Sequence, residues 1–142
     1  MMKRSPSRTV KLDIASRFDM LEMVQTVLTH LSGIVGFDEE AAHYMSVAVR
    51  EAVVNAIKHG NQGDEGKRVA LTFVMEPRTL EVVVRDEGVG FDPSTVPNPT
   101  AAENLLKAGG RGIFFMRSFM DEVSYAFPSG GGAVVTMVKT LK

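Results

Sequence analysis

Arg50-Glu51-Ala52-Val53-Val54-Asn55-Ala56-Ile57-Lys58-His59-Gly60-Asn61 reads as the end of a helix with two unlike sides. Ala48, Ala52, Val53, Ala56 and Ile57 make an apolar side suited to packing on a sheet. Glu51 and Asn55, four apart, share another face about one turn from each other. His59 follows a further turn along, drifting by roughly 40° for each step of four residues. An acid, a neutral amide and an imidazole thus line one rim of a helix whose body faces the core. Mg²⁺ prefers hard oxygen ligands and takes only one or two from protein, with water and phosphate completing its shell. An Asn carbonyl oxygen beside a carboxylate able to accept a proton meets that demand. Taken alone, the same segment reads as readily as a solvated polar stripe.

Upstream, Asp38 suits the N-cap of this helix, and Glu39 and Glu40 suit its positive end. Before it, Phe18, Leu21, Val24, Val27, Leu28, Leu31 and Val35 recur at helical spacing, with Ser16 as the expected cap, Asp19 in support and Gly36 as the stop. Val10, Leu12 and Ile14 alternate with polar residues as in a half-buried strand over Thr9–Ser16. Downstream, Gly60 ends the central helix and Asn61–Gly66 form a turn. Arg68–Met75 and Leu80–Arg85 then read as strands joined in a hairpin by Glu76–Thr79. Residues 92–110, with Pro93, Pro97 and Pro99, carry little regular signal, which suits a functional loop or lid. Ile113–Met120 is helical in pattern, and Glu122–Phe127 and Ala133–Lys139 are strands about a PSGGG turn. The expected fold class is α+β: a two-layer sandwich in which a mixed, mostly antiparallel sheet of about five strands is covered on one face by three helices. Residues 1–8 are expected to be a flexible N-terminus and 9–142 a single domain.

Two further segments bear on chemistry. In Val82-Val83-Val84-Arg85-Asp86-Glu87-Gly88-Val89-Gly90-Phe91 a buried-looking strand ends in Asp86, and Gly88 and Gly90 clear side chains from the loop beyond. A flat ligand can approach such a backbone, while the carboxylate accepts hydrogen bonds from its amino group, as an adenine amine would offer. A plain turn after a strand has the same composition. Gly109-Gly110-Arg111-Gly112 opens the next helix, where unpaired N–H groups and the helix dipole favour an anion such as phosphate; Arg111 adds charge or sits outside. A mobile loop ending in a helix cap is the plainer reading.

Composition removes several alternatives. With Lys+Arg 16 against Asp+Glu 17, the net charge of −1 lacks the basic footprint of a dedicated nucleic-acid binder. Zero cysteines exclude disulfides, thiol nucleophiles and thiolate metal sites. At 142 residues and 44% hydrophobic content the chain can bury a core without such staples. No apolar run approaches the roughly 18 residues of a membrane span, and the basic N-terminus has no apolar stretch behind it, so a cytoplasmic protein is expected. There is no G-x-x-x-x-G-K-[ST] loop and no H-R-D or D-F-G triplet, and His30, His43 and His59 lack zinc-like spacing.

In this order, EAVVNAIKHG, DEGVGF and GGRGIFFM resemble the N box and the two glycine boxes of the GHKL ATPase superfamily, which includes histidine-kinase catalytic domains. The resemblance covers roughly residues 9 to 140. It is closest to the small bacterial anti-sigma-factor serine/threonine kinases, which share E-A-V-x-N-A-I-x-H-G and M-x-x-F-M-D-E-V, here Met116–Val123. The likeness implies ATP and Mg²⁺ as cofactors. It implies that Asn55 coordinates Mg²⁺ between the phosphates and that Glu51 is the general base toward a serine hydroxyl. It further implies that Asp86 binds the adenine amino group, with Gly88 and Gly90 shaping that pocket. By the same likeness residues 92–110 are the ATP lid, and Gly110, Arg111 and Gly112 meet phosphate. The implied protein is a homodimer in partner switching: it binds a sigma factor and phosphorylates a STAS-domain anti-anti-sigma protein. A nucleotide-gated binding module without kinase activity is the alternative. One departure stands out. Where the family places Gly-Thr at the start of its last strand, this chain has Gly132-Ala133-Val134, without the hydroxyl that helps bind the adenine edge through water.

Overall fold

The computed structural model describes residues 8–88 and 112–142. Strand β1 (Thr9–Ala15) leads through a 3₁₀ turn (Phe18–Met20) into α1 (Leu21–Val35) and then α2 (Glu39–Asn55), which runs on as a π-turn (Ala56–Gly60). The hairpin β2 (Arg68–Met75) and β3 (Thr79–Asp86) follows, closed by Glu76 N–H on the Thr79 carbonyl at 2.9 Å. After α3 (Gly112–Phe119) come β4 (Glu122–Ala126) and β5 (Val134–Thr140). The five strands form one sheet in the order β1-β2-β3-β5-β4. Among the described residues every pairing is antiparallel, so the α+β sandwich expected from the sequence is present, with an antiparallel sheet in place of a mixed one.

The period-two pattern explains which face is covered. Val69, Leu71 and Phe73 of β2, Val82 and Val84 of β3, and Val135 and Met137 of β5 are buried, whereas Arg68, Ala70 and Arg85 between them are exposed. Against the apolar face pack Val24, Leu28 and Leu31 of α1, Met45, Val49 and Val53 of α2, and Met116 of α3. The methionines at 45, 116 and 137 are fully buried within this core, where an unbranched thioether fills irregular gaps.

The helix ends agree with the sequence at two points and depart at two. Asp38 caps α2 by accepting from Ala41 N–H at 2.8 Å, and Gly36 ends α1 in the left-handed region at φ 116°. Ser16, by contrast, caps nothing. Arg17 occupies the N-cap of the 3₁₀ turn without a side-chain capping bond, and the buried Ser16 hydroxyl donates to the Lys67 carbonyl at 2.7 Å instead. Its hydroxyl is used at the sheet because the end of β1 lies beside the start of β2. Asp19 pairs with Arg17 at 2.7 Å on the surface rather than completing a cap. The second departure is the π-turn, sealed by Asn61 N–H on the Ala56 carbonyl at 2.8 Å. Among the described residues no helix is long and apolar enough to cross a membrane.

Candidate functional site

Asp86 is the last residue of β3 and points inward like Val82 and Val84, leaving a carboxylate only 7% exposed. Its Oδ1 accepts from Gly88 N–H at 2.9 Å and from Ala133 N–H at 3.1 Å, while its own N–H donates to the Ala133 carbonyl at 3.1 Å. Oδ2 receives no hydrogen bond from a described residue. Three glycines make room for this arrangement. A Cβ on Gly60 would collide with the Asp86 carboxyl, one on Gly88 with the Gly60 carbonyl, and one on Gly132, at φ +81°, with the Asp86 backbone. Burial pushes the Asp86 carboxyl above its usual range, against the Gly88 and Ala133 N–H groups and the positive charges of Lys67 and Arg85.

The cradle is held by a residue whose importance the sequence reading missed. Asn61, fully buried, donates from Nδ2 to the Ser16 hydroxyl at 2.7 Å and to the Arg68 carbonyl at 3.0 Å. Its Oδ1 accepts from Glu87 N–H at 2.8 Å. One amide thus ties the end of β1, the start of β2 and the loop after Asp86, using both its donor and acceptor capacity. The Glu87 carboxylate adds a bond from Arg68 N–H. An Asn directly after a helix-ending Gly was the available signal, but it reads first as a turn residue.

Asn55 closes α2 and is half-buried, and its amide lies near enough to Tyr125, an inward-facing residue of β4, to influence its phenol. Burial pushes the Tyr125 phenol up to about 12, with the Asp86 charge adding to the rise and Arg117 and Asn55 opposing it. The same hydroxyl donates to Met116 Sδ at 3.9 Å. Glu51 lies one turn before Asn55 and is half-buried, whereas His59 sits in the π-turn and is exposed. Partial desolvation of its ring, and then the charge of the neighbouring Lys58, lower the His59 pKa. Gly112 is the first residue of α3. Gly90, Gly110, Arg111 and the whole stretch 92–110 lie outside the described residues. Among the described residues no three His, Asp or Glu side chains converge as a metal centre. The fold therefore brings Asp86, Gly88, Gly60 and Ala133 into one cradle.

Residues 14–139 match the family of histidine kinase-like ATPase domains. The chain belongs to that family. Among family members, a serine-protein kinase RsbW of Listeria monocytogenes is 26% identical over 133 residues, covering 89% of this chain and 85% of its own length. Those of Bacillus pumilus and Bacillus subtilis are 29% identical over 140 residues and 28% over 141, each covering 93% of this chain and 85% of the relative. Among solved structures, the RsbU and RsbW domains of a Mycobacterium tuberculosis protein superpose with a TM-score of 0.64 at 18% identity over 97% of this chain. The chain spans 34% of that longer protein. The mycobacterial sensor histidine kinase MprB superposes at 0.55 and 17% identity, over 92% of this chain and 97% of that one. These likenesses show the same fold, and the family is the one that the three sequence boxes resemble.

Proposed function

We propose that this histidine kinase-like ATPase domain is an ATP-dependent protein serine/threonine kinase acting as an anti-sigma factor. In this reading it forms a homodimer, binds a sigma factor, and phosphorylates a serine on a STAS-domain anti-anti-sigma protein. The observation that carries the reading is the Asp86 cradle. Two backbone N–H groups hold Oδ1 and three glycines exclude side chains, so an edge of a flat base can approach Oδ2 and donate its amino hydrogen there. The names of the relatives, serine-protein kinases over most of their length, support transfer to serine rather than to histidine.

The donor set also fits a cation. Asn55 offers a neutral carbonyl oxygen at the end of α2, and a magnesium ion needs few protein ligands when phosphate supplies the rest. Bound Mg²⁺ would neutralise phosphate charge during transfer. Glu51, one turn away on the same helix, takes the proton of the incoming serine hydroxyl as its oxygen attacks the γ-phosphorus and the bond to the bridging oxygen breaks. Gly88 and Gly90 shape the base pocket, and Gly110, Arg111 and Gly112 meet the phosphates. A second reading, a nucleotide-gated binding module without transfer, is favoured by Ala133 at the position where the family carries Thr. Labelled ATP with a STAS-domain protein, in wild type and Glu51→Ala, separates the two. Transfer lost in Glu51→Ala with nucleotide binding kept supports the kinase; binding without transfer in wild type supports the module.

A further inference from the structure

The π-turn after α2 sets two consecutive residues against the loop that follows Asp86. Gly60 contributes its backbone: a Cβ on Gly88 would collide with the Gly60 carbonyl, so the two segments touch there. Asn61, whose N–H closes the π-turn on the Ala56 carbonyl at 2.8 Å, contributes its side chain. The orientation of this buried amide follows from what its partners can do. The Arg68 carbonyl, at 3.0 Å, only accepts and so faces Nδ2; the Glu87 N–H, at 2.8 Å, only donates and so faces Oδ1. The Ser16 hydroxyl gives its hydrogen to the Lys67 carbonyl, which leaves its oxygen to accept from Nδ2 at 2.7 Å.

Glu87 is the corner of the turn in which Gly88 N–H folds back on Asp86 Oδ1. Asn61 holds the backbone of that corner, and Arg68 N–H holds its carboxylate. Once the corner turns, Gly88 N–H leaves Oδ1 and the two oxygens of Asp86 lose their separate roles. We propose that Asn61 is a positioning residue for base recognition: by holding Glu87 N–H it keeps Gly88 N–H on Asp86 Oδ1, so that Oδ2 is the oxygen left for an exocyclic amine. The inference rests on the reading of Asp86 as the adenine acceptor given above. It adds a residue that acts through the Glu87 backbone, with Ser16 at the end of β1 supporting it.

The test is calorimetric titration with Mg-ATP and with the Mg²⁺ complex of inosine triphosphate, which has the same ribose and phosphates but an oxygen in place of the amine. Wild type should prefer ATP by roughly ten- to a hundredfold, the worth of a hydrogen bond to a charged group. Asn61→Ala should cut that preference by about fivefold or more and leave the affinity of the folded protein for inosine triphosphate unchanged. General loosening of the site would lower both affinities together. Ser16→Ala, the milder change, removes one support of Asn61 and should cut the preference by about two- to threefold. In an Asp86→Asn background Asn61→Ala should alter the preference no further, because the carboxylate it positions is gone. An unchanged preference in Asn61→Ala, or in Ser16→Ala where the first does not fold, overturns the positioning role. Equal losses with both nucleotides, or the same cut in the Asp86→Asn background, overturn it too. Wild type that binds both nucleotides equally, or Asp86→Asn that keeps the preference for ATP, instead overturns the underlying reading of Asp86.

Discussion

Asp86→Asn separates the binding role of this carboxylate from its structural one. Both backbone donors, Gly88 N–H and Ala133 N–H, fall on Oδ1. An Asn can keep its oxygen there, which places its Nδ2 where Oδ2 was. The fold therefore loses no hydrogen bond, and a carboxylate whose burial raises its pKa is replaced by a neutral group. Between the ordinary aspartate value near 4 and that raised value, the folded chain binds more protons than the unfolded chain. Stability of the wild type should thus fall as pH rises through this window and level off above it, and Asp86→Asn should abolish that slope. Adenine recognition behaves oppositely. It needs the ionised acceptor, so wild-type affinity should rise with pH across the same window. In the variant an amide N–H faces the adenine N–H. Losing a charged acceptor and leaving a donor unpaired costs on the order of 3 kcal/mol, or roughly a hundredfold in affinity. Thermal melts from pH 4 to 8 and calorimetry with Mg-ATP read both effects. A variant that melts no lower than wild type at neutral pH yet binds ATP about a hundredfold more weakly is expected. ATP affinity within threefold of wild type in a folded variant would refute the assignment of Oδ2 to the base.

Gly60→Ala places a Cβ 2.9 Å from Asp86 Oδ1 and closer still to the rest of the carboxyl, so it should cost about 1–3 kcal/mol and weaken ATP binding, both read by melting and calorimetry. Gly33→Ala in α1, where an added Cβ meets nothing within 4 Å, should instead raise stability by ~0.5–1 kcal/mol. Asn61→Ala strands the Glu87 N–H and removes two further bonds; a loss of about 3 kcal/mol, seen as a melting point lower by roughly 10 °C, is expected. Ala133→Thr leaves the backbone bond to Asp86 in place and adds a hydroxyl, so ATP affinity should rise by up to about fivefold with little change in melting. A lowered affinity there would mean that the position has no role at the adenine edge.

The elements were legible because their periods are clean: Val69-Leu71-Phe73 alternates, and Val24-Leu28-Leu31 recurs each turn. Asp86, Gly88 and the rim of α2 were legible as residue types in a spacing, and the structure joins Asp86 and Gly88 in the cradle. What escaped depends on contacts far apart in sequence. Ser16 looked like a cap because local spacing says nothing of Lys67 and Asn61, which take its hydroxyl. The π-turn has no local signature: its fifth residue, Gly60, is small because Asp86 stands against it.

The central claim is transfer of phosphate from ATP to serine, and the chemistry of the phosphate bond tests it most directly. The full chain would be incubated with Mg²⁺, labelled ATP and a STAS-domain protein, and the labelled product treated with acid and mapped by mass spectrometry. The account predicts an acid-stable phosphoserine on the STAS-domain protein that requires Glu51. An acid-labile phosphohistidine, or tight ATP binding with no transfer, would contradict it.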